Sequence, residues 1–446
     1  MIKYYITIIL LLLFCHTQAQ VVDIPDPYFK AALLWGLVVD TNGNGIGDSD
    51  ADTNNDGLIQ VSEAEAVQGL FVFYQYISSL EGIQSFTNLE ELDCSENQLI
   101  SLDLTFNLNL IKLNCSENQL IDLNITQNVN LEELNCSLNQ LTDLNILQNS
   151  NLKILSCYFN QLTELTISHL TSLTHLTTYA NPLNNIDVTQ NENLISLYCI
   201  NNQLSTLDVS QNSNLVQLEC NYNQLNDIDI SQNQLLEVLN VSNNQLTSID
   251  VTQNHLLEYL EVYNNLLIDI DVTQNINLYS LSCYNNQLTS IDVSLIQYLS
   301  QLYCYNNQLT SLNVKSGNNI FLTNLYAWGN YNLECIQVDD VTFAINAPDW
   351  HKDNWTEYSE DCNLGIDGNS QISFTIYPNP VQDLLTIDNT INIEITSIKM
   401  YDLLGRLVLE ENHSFNQLDV SALNSGLFLI KIETEQGVLT KKIIKE

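Results

Sequence analysis

The chain runs to 446 residues, room for two or three globular domains or for one long repetitive array. With 53 acidic residues against 12 basic and a formal net charge of −41, its surface repels phosphate, so nucleic acid is excluded as a partner and cations or neutral ligands fit better. A hydrophobic share of 45% supports a packed core and argues against wholesale disorder.

Residues 1–19 read as a signal peptide. Lys3 supplies the positive start, 8–14 a short apolar run, and Thr17-Gln18-Ala19 a cleavage site. The alternative, a membrane anchor, needs about 20 apolar residues, and the run is shorter. No later segment is apolar enough to cross a bilayer, so the mature chain is expected to lack a transmembrane segment. Residues 20–69 then form an N-terminal cap, with a helix over 26–36. Within it, 52–63 matches the twelve-residue EF-hand loop: Asp52, Asn54 and Asp56 at positions 1, 3 and 5, Gly57 at the turn, the Leu58 carbonyl at 7, and Glu63 at 12. The expectation is a structural calcium ion pinning the cap; the alternative is a plain acidic loop. Upstream, Asp40, Asn42, Asn44 and Gly45 repeat the opening, but Ala51 stands at the twelfth place.

From residue 70 a repeat takes over. Asn97, Asn118, Asn139, Asn160, Asn181, Asn202, Asn223, Asn244, Asn265, Asn286 and Asn307 follow one another at steps of 21 residues, and Asn330 follows after a two-residue insertion. The phrase around each is that of Leu92-Asp93-Cys94-Ser95-Glu96-Asn97-Gln98-Leu99. Leu92 and Cys94 alternate inward on a short strand, and Leu89, Leu99, Leu102 and Leu104 fill the same interior. The recurring amide would satisfy backbone groups of a bend that has no strand partner. An earlier, degenerate coil over 70–80 puts Gln75 where Asn belongs, which makes about thirteen coils and roughly 60 Å of stack at one strand spacing per coil. This pattern of leucines and Asn resembles the leucine-rich-repeat family, which implies an α/β-type solenoid, mostly strand and loop, over 70–334.

Cys94, Cys115, Cys136, Cys157, Cys199, Cys220, Cys283 and Cys304 each stand three residues before a ladder Asn, where other coils carry Thr178, Val241, Val262 or Ala327. That interchange asks for a small buried side chain rather than a bridge or a metal ligand. Cys335 and Cys362 lie beyond the last coil, in a cap and linker segment over 335–371. Export permits a disulfide between them, and similar repeat proteins often end in one, so the resemblance implies a bridge that caps the open end.

Over 372–446 the period is lost, and alternating strands at 372–377, 384–387, 393–401, 407–409, 427–432 and 438–444 predict a small β-sandwich. Tyr377-Pro378-Asn379-Pro380, Asp402 with Gly405-Arg406, Asp419-Val420-Ser421 with Leu423 and Gly426, and the terminal Lys441-Lys442-Ile443-Ile444-Lys445 resemble the type A sorting domain of the type IX secretion system of Bacteroidota. Leu427-Phe428 departs mildly from its usual pattern. The resemblance implies Sec export, passage across the outer membrane by that machinery, cleavage of the tail, and surface attachment or release. A carbohydrate-binding sandwich is the alternative.

On the predicted concave sheet, the outward positions lie six, four and two residues before each ladder Asn, with the residue just before it at the bend. Aromatic rings fill twelve of these 48 positions, against 8% of the chain. Tyr158, Tyr179, Tyr198, Tyr259, Tyr263, Tyr284, Tyr303, Tyr305, Tyr326 and Trp328 are the candidate ligand-binding residues, with Phe159 and Tyr222 completing the set. A ladder of amphipathic rings suits a protein or glycan ligand at a cell surface; the plainer reading is β-propensity and cross-strand stacking. Two structural alternatives remain: a surface or matrix element, and a flat ice- or polymer-binding face made by turns such as Thr189-Gln190-Asn191, Ser210-Gln211-Asn212 and Thr252-Gln253-Asn254. The six histidines show no metal-ligand spacing, no nucleophile or phosphate-binding motif is present, and the recurring Asp187, Asp208, Asp229, Asp250, Asp271 and Asp292 suit turns, so no enzyme is expected.

Overall fold

The computed structural model describes residues 20–362, 375–388, 394–402, 406–411, 415–434 and 437–445. The predicted signal peptide lies outside the described residues, as do 363–371 of the linker, 372–374 of the first tail strand, and Gly405. The chain divides into two compact units, 1–334 with 343–356, and 335–342 with 357–446.

The first unit opens on the helix Pro27–Trp35, one residue inside each predicted end. Asp26 caps it, with Oδ1 accepting from the N–H groups of Tyr28 and Phe29, while Phe29, Ala32, Leu33 and Leu34 face the core. The same carboxylate accepts through Oδ2 from Ser78 N and Oγ and from Ser79 N, so one side chain both starts the helix and ties it to the first coil. Burial pushes the Asp26 pKa up, but these hydrogen bonds outweigh it and hold the carboxyl below its ordinary value.

Val39–Asp40 pairs antiparallel with Gly69–Phe71, and from that strand on the pairing is parallel. Twelve three-residue strands, from Glu91–Asp93 to Asn324–Tyr326, stack with Leu92, Leu113 and Leu134 and their successors in register. Trp350–His351, inside the segment predicted as cap and linker, adds a fourteenth coil and the last of fifteen strands in the sheet. On another side of the coils, Ser290–Asp292 and Ser311–Asn313 form a second parallel pair.

The ladder amides act as the sequence predicts. Asn118 Nδ2 donates to the carbonyls of Cys94, Cys115 and Ser116, and its Oδ1 accepts from Leu99 N at 2.9 Å. The pattern persists to Asn330, which donates to Cys304 and Ala327 and accepts from Leu309 N. Gln75 does not take the expected ladder place: it is exposed, and its own N–H donates to Asn97 Oδ1. The extra methylene makes its amide too long for the bend.

A second ladder escaped the sequence reading. Asn107, Asn128, Asn149, Asn191, Asn212, Asn233, Asn254 and Asn275 are fully buried, each Nδ2 donating to two carbonyls of the previous coil, as Asn128 does to Leu104 and Asn107. Leu170 breaks the series, and there the His169 ring takes the Ile146 carbonyl instead, at 2.9 Å. Asn191, Asn212 and Asn254 thus point into the core and leave only the Thr or Ser and the Gln of each Thr/Ser-Gln-Asn turn at the surface.

In the second unit, Cys335–Gln337 pairs parallel with Glu357–Ser359, and the disulfide Cys335–Cys362 closes the segment. Thr375–Tyr377, Leu384–Asp388 and Gln417–Asp419 form one antiparallel sheet; the sequence reading missed the third strand. Leu407–Glu411, Ile395–Asp402, Gly426–Thr434 and Gly437–Lys445 form the other. Leu385, Ile387, Ile398, Met400, Leu418, Ile430 and Ile432 fill a shared core, as a β-sandwich requires. The tail motif has structural work: Asn379 Nδ2 donates to the Lys442 carbonyl while its Oδ1 accepts from Ile444 N, and Arg406 Nε donates to Asp402 Oδ2.

Replacing Asn244 with alanine would strip Leu225 N and the carbonyls of Cys220, Val241 and Ser242 of their amide partner. Urea unfolding should then show a loss of about 2–4 kcal/mol, whereas Asn201→Gly at an exposed left-handed bend should change stability by well under about 1 kcal/mol. Equal small effects would contradict the ladder's role.

Candidate functional site

The coil geometry decides where each ring goes. The residue just before every ladder Asn is left-handed, from Glu96 at φ 54° through Asn306 at 54° to Gly329 at 72°. Asn or Gly, which tolerate this conformation, occupy the position in the later coils at 201, 243, 264, 285, 306 and 329, but Phe159 and Tyr222 also adopt it. That backbone reversal turns the preceding residue outward at one fixed angle in coil after coil. The absence of β-branched residues from this position was the signal in the sequence that could have revealed it.

The rings therefore meet face to face. Tyr263, Tyr284, Tyr305 and Trp328 form one stack with centroids 4.4, 4.4 and 4.6 Å apart and planes within 11° of parallel. Tyr158 and Tyr179 form a second, at 4.5 Å and 8°, with Phe159 edge-on to Tyr179 at 5.1 Å. Tyr303 and Tyr326 lie tilted 5.3 Å apart, and His351 of the last coil continues their row. Beside the long stack runs a chain of side-chain amides, each donating to the one before it: Asn306 to Asn285, Asn285 to Asn264, and Asn264 to Asn243, at 2.6–2.8 Å. Of the ten predicted ligand residues, eight are half-buried, and Tyr259 and Trp328 are more open, at 42% and 41% exposure. Burial, and then the neighbouring rings, push the Tyr284 pKa up. The sequence suggested either a ladder of rings serving as a binding platform or rings stacked across strands. The structure shows ring faces largely spent on one another, with edges and hydroxyls left to solvent.

Between the two stacks the column passes through Ile200, Asn221 and Ser242, which carry no ring. The parallel strand column there runs Tyr198, Glu219, Asn240, Glu261 and Ser282, each a register partner of the next. The Tyr198 hydroxyl donates to Gln217, and Asn240 Nδ2 donates to Glu261 at 2.7 Å. Burial, then the Glu261 carboxylate, raises the Glu219 pKa, and burial alone raises that of Glu261. Toward the N-terminus the face changes character: Lys112 bridges Glu91 at 3.2 Å and Glu133 at 3.8 Å, over a shallow cavity of about 280 Å³ edged by Phe71 and Ile154.

The predicted calcium loop folds as a nest of hydrogen bonds. Both Asp52 oxygens accept from backbone, Asp56 N at 3.1 Å and Gly57 N at 2.8 Å, around Gly57 at φ 80°. Glu63 faces back on Thr53, Asn54 and Gln60, and Asn54 Nδ2 donates to Gln60. Asp52 and Glu63 are buried and form no ion pair with a basic side chain among the described residues, and the donors Asp52, Asn54, Asp56, the Leu58 carbonyl and Glu63 are all oxygen. That chemistry fits a hard cation. As folded, though, no group of three or more His, Cys, Asp or Glu side chains among the described residues is gathered to hold a metal. The aspartates on the turn side behave as turn-makers: Asp187, Asp208, Asp229, Asp250 and Asp271 each accept from the Ser or Thr two residues on, which holds their pKa values below the ordinary range.

The eight ladder cysteines are free and buried. Burial pushes the Cys136 and Cys283 thiols up to about 12. A thiol reagent at neutral pH should label none of the eight in the folded chain and all of them after urea; rapid labelling of Cys94 or Cys304 without denaturant would contradict this burial.

Residues 375–446 match the family described as the secretion system C-terminal sorting domain. Several solved structures share the repeat fold. The functional domain of InlJ from Listeria monocytogenes, which includes a cysteine ladder, is 23% identical, with 96% of this chain and 98% of that one covered and a TM-score of 0.55. An internalin, InlF, of the same organism is 21% identical, with 77% and 99% covered and a TM-score of 0.60. A leucine-rich-repeat protein of Leptospira interrogans is 25% identical, with 66% and 85% covered and a TM-score of 0.51. No curated protein matches the chain significantly. The first unit is thus a leucine-rich-repeat solenoid. The chain ends in a type IX secretion sorting domain, which marks it for secretion. Among the described residues no helix is long and apolar enough to cross a membrane.

Proposed function

We propose that the chain is a secreted or surface-attached recognition protein, without enzymatic activity, that binds a protein or glycan ligand on the strand face of its solenoid. The observation that carries this reading is the pair of aromatic stacks with their amide chain, all on one face and all half-open to solvent. Stacked rings and laddered amides lose little entropy on binding because they are already ordered, so contact with their edges and hydroxyls is inexpensive. The sorting domain supports delivery by the type IX route, with the tail removed and the solenoid retained on the surface or released. The internalin-like fold supports the same class of protein.

A second reading, a structural surface or matrix element, draws on the same stacks. Rings that cover one another stabilise the array by about 0.5–1.5 kcal/mol per pair with no ligand at all. Replacing Tyr263, Tyr284, Tyr305 and Trp328 together with serine separates the two. Recognition predicts that glycan-array or partner-pulldown signals of the full chain vanish in a variant whose circular dichroism is unchanged. Signals that survive intact, with only a lowered melting point, favour the structural element.

Calcium is proposed as a cap-stabilising ion at Asp52, Asn54, Asp56, the Leu58 carbonyl and Glu63. Binding would require Glu63 to give up Thr53 and Asn54 in exchange for the ion. Millimolar Ca²⁺ should raise the melting point of the parent protein, and Glu63→Gln should abolish the rise; a parent indifferent to Ca²⁺ removes the site.

A further inference from the structure

The rings inside each stack have both faces covered, so a free ring face belongs only to a terminal ring. Tyr179 ends one stack and Tyr263 begins the next, four coils on, about 19 Å away at one strand spacing per coil. Glu219, Asn221 and Asn240 occupy the strand face of the coils between them, and Glu261 that of the Tyr263 coil.

Among these groups acceptors are left without donors. The Glu219 carboxylate makes no hydrogen bond or ion pair among the described residues. Asn221 is 7% exposed, and its Oδ1 is buried without a hydrogen-bond partner, two residues from Glu219 on the same face. Glu261 accepts one hydrogen bond, from Asn240. A buried acceptor without a donor is costly. An arginine or lysine side chain supplies donors only, whereas a sugar hydroxyl brings an acceptor with every donor. Charge points the same way: from 88 to 330 the only lysines are Lys112, Lys153 and Lys315, the first two already paired with glutamates.

We propose that this gap between the two aromatic stacks is the seat of a basic side chain of a polypeptide partner, held by Glu219, Asn221 and Glu261. The proposal rests on the recognition reading and narrows it from protein or glycan to a polypeptide carrying arginine or lysine.

The test uses the full chain on an array of ten-residue peptides, identical except for Arg, Lys, Gln or Glu at the central positions, together with a glycan array. Glu219→Gln with Glu261→Gln is compared with Asp208→Asn plus Asp229→Asn on the turn side, which removes the same charge. The expected result is retention of Arg and Lys peptides over Gln and Glu peptides, weakened about tenfold or more by the Gln pair and untouched by the Asn pair. Both pairs keep side-chain size, and unchanged melting points verify their folds. Equal loss in both pairs means general attraction to an acidic surface and overturns the proposal. So does the absence of any Arg or Lys preference. If glycans bind instead, and the serine variant of the long stack abolishes that binding, recognition stands and only the basic partner falls. If neither array retains the parent chain, both fall.

Discussion

Each coil of the solenoid depends on one amide. A bend with no strand partner leaves backbone N–H and C=O groups inside an apolar core, where each orphan costs about 1–3 kcal/mol. The side chain of the ladder Asn supplies both a donor and an acceptor at the length the bend allows. Asn223, for example, donates to Cys199, Cys220 and Asn221 and accepts from Leu204 N. Gln75 shows the tolerance: one methylene more and the side chain leaves the interior. The second buried ladder repeats only the donor half of the solution: each Nδ2 bonds two carbonyls of the previous coil while its Oδ1 has no hydrogen-bond partner, so two parallel files of amides run through an otherwise aliphatic core.

Function inherits its geometry from that constraint. Because the bend is held identically in successive coils, the residue before the ladder Asn is always left-handed and the one before that always outward. Side chains at equivalent positions then superpose at the strand spacing, close to the distance at which flat rings attract. Aromatic residues at that place can only stack, and asparagines beside them can only chain. The face is therefore ordered before any ligand arrives, and its variable chemistry is confined to where the columns are interrupted.

Much of this could be read from the chain. A 21-residue period in Asn, Leu and Cys is a direct image of the coil, and residues such as Leu92 and Cys94 had to face inward once the period was known. The helix ends were legible through Asp26 and Gly36, and Cys335 and Cys362 through their place beyond the repeat. What stayed hidden required three dimensions. Asn107 and its equivalents looked like polar turn residues because polarity alone does not reveal burial. Trp350–His351 belongs to the sheet, but the chain reaches it only after the helix Val341–Asn346, which breaks the period. The ring faces could not be assigned as free or covered, because stacking depends on a backbone angle that the sequence signals only weakly, through Asn and Gly at one position.

The amide ladder also has a direction. Leu99 N is satisfied by Asn118 of the following coil, and Leu309 N by Asn330, so a coil is finished only when its successor is in place. At the end of the array Asp353 stands in for a successor's backbone: its carboxylate accepts from Gly329 N and Asn330 N, N–H groups that in an inner coil, such as Glu117 N and Asn118 N, donate to carbonyls of the next coil. A polypeptide that emerges N-terminus first thus carries, at every moment of its growth, a single open coil at its C-terminal, growing end. The array can lengthen by adding coils, and here it closes where a carboxylate takes the place of the next coil's carbonyls.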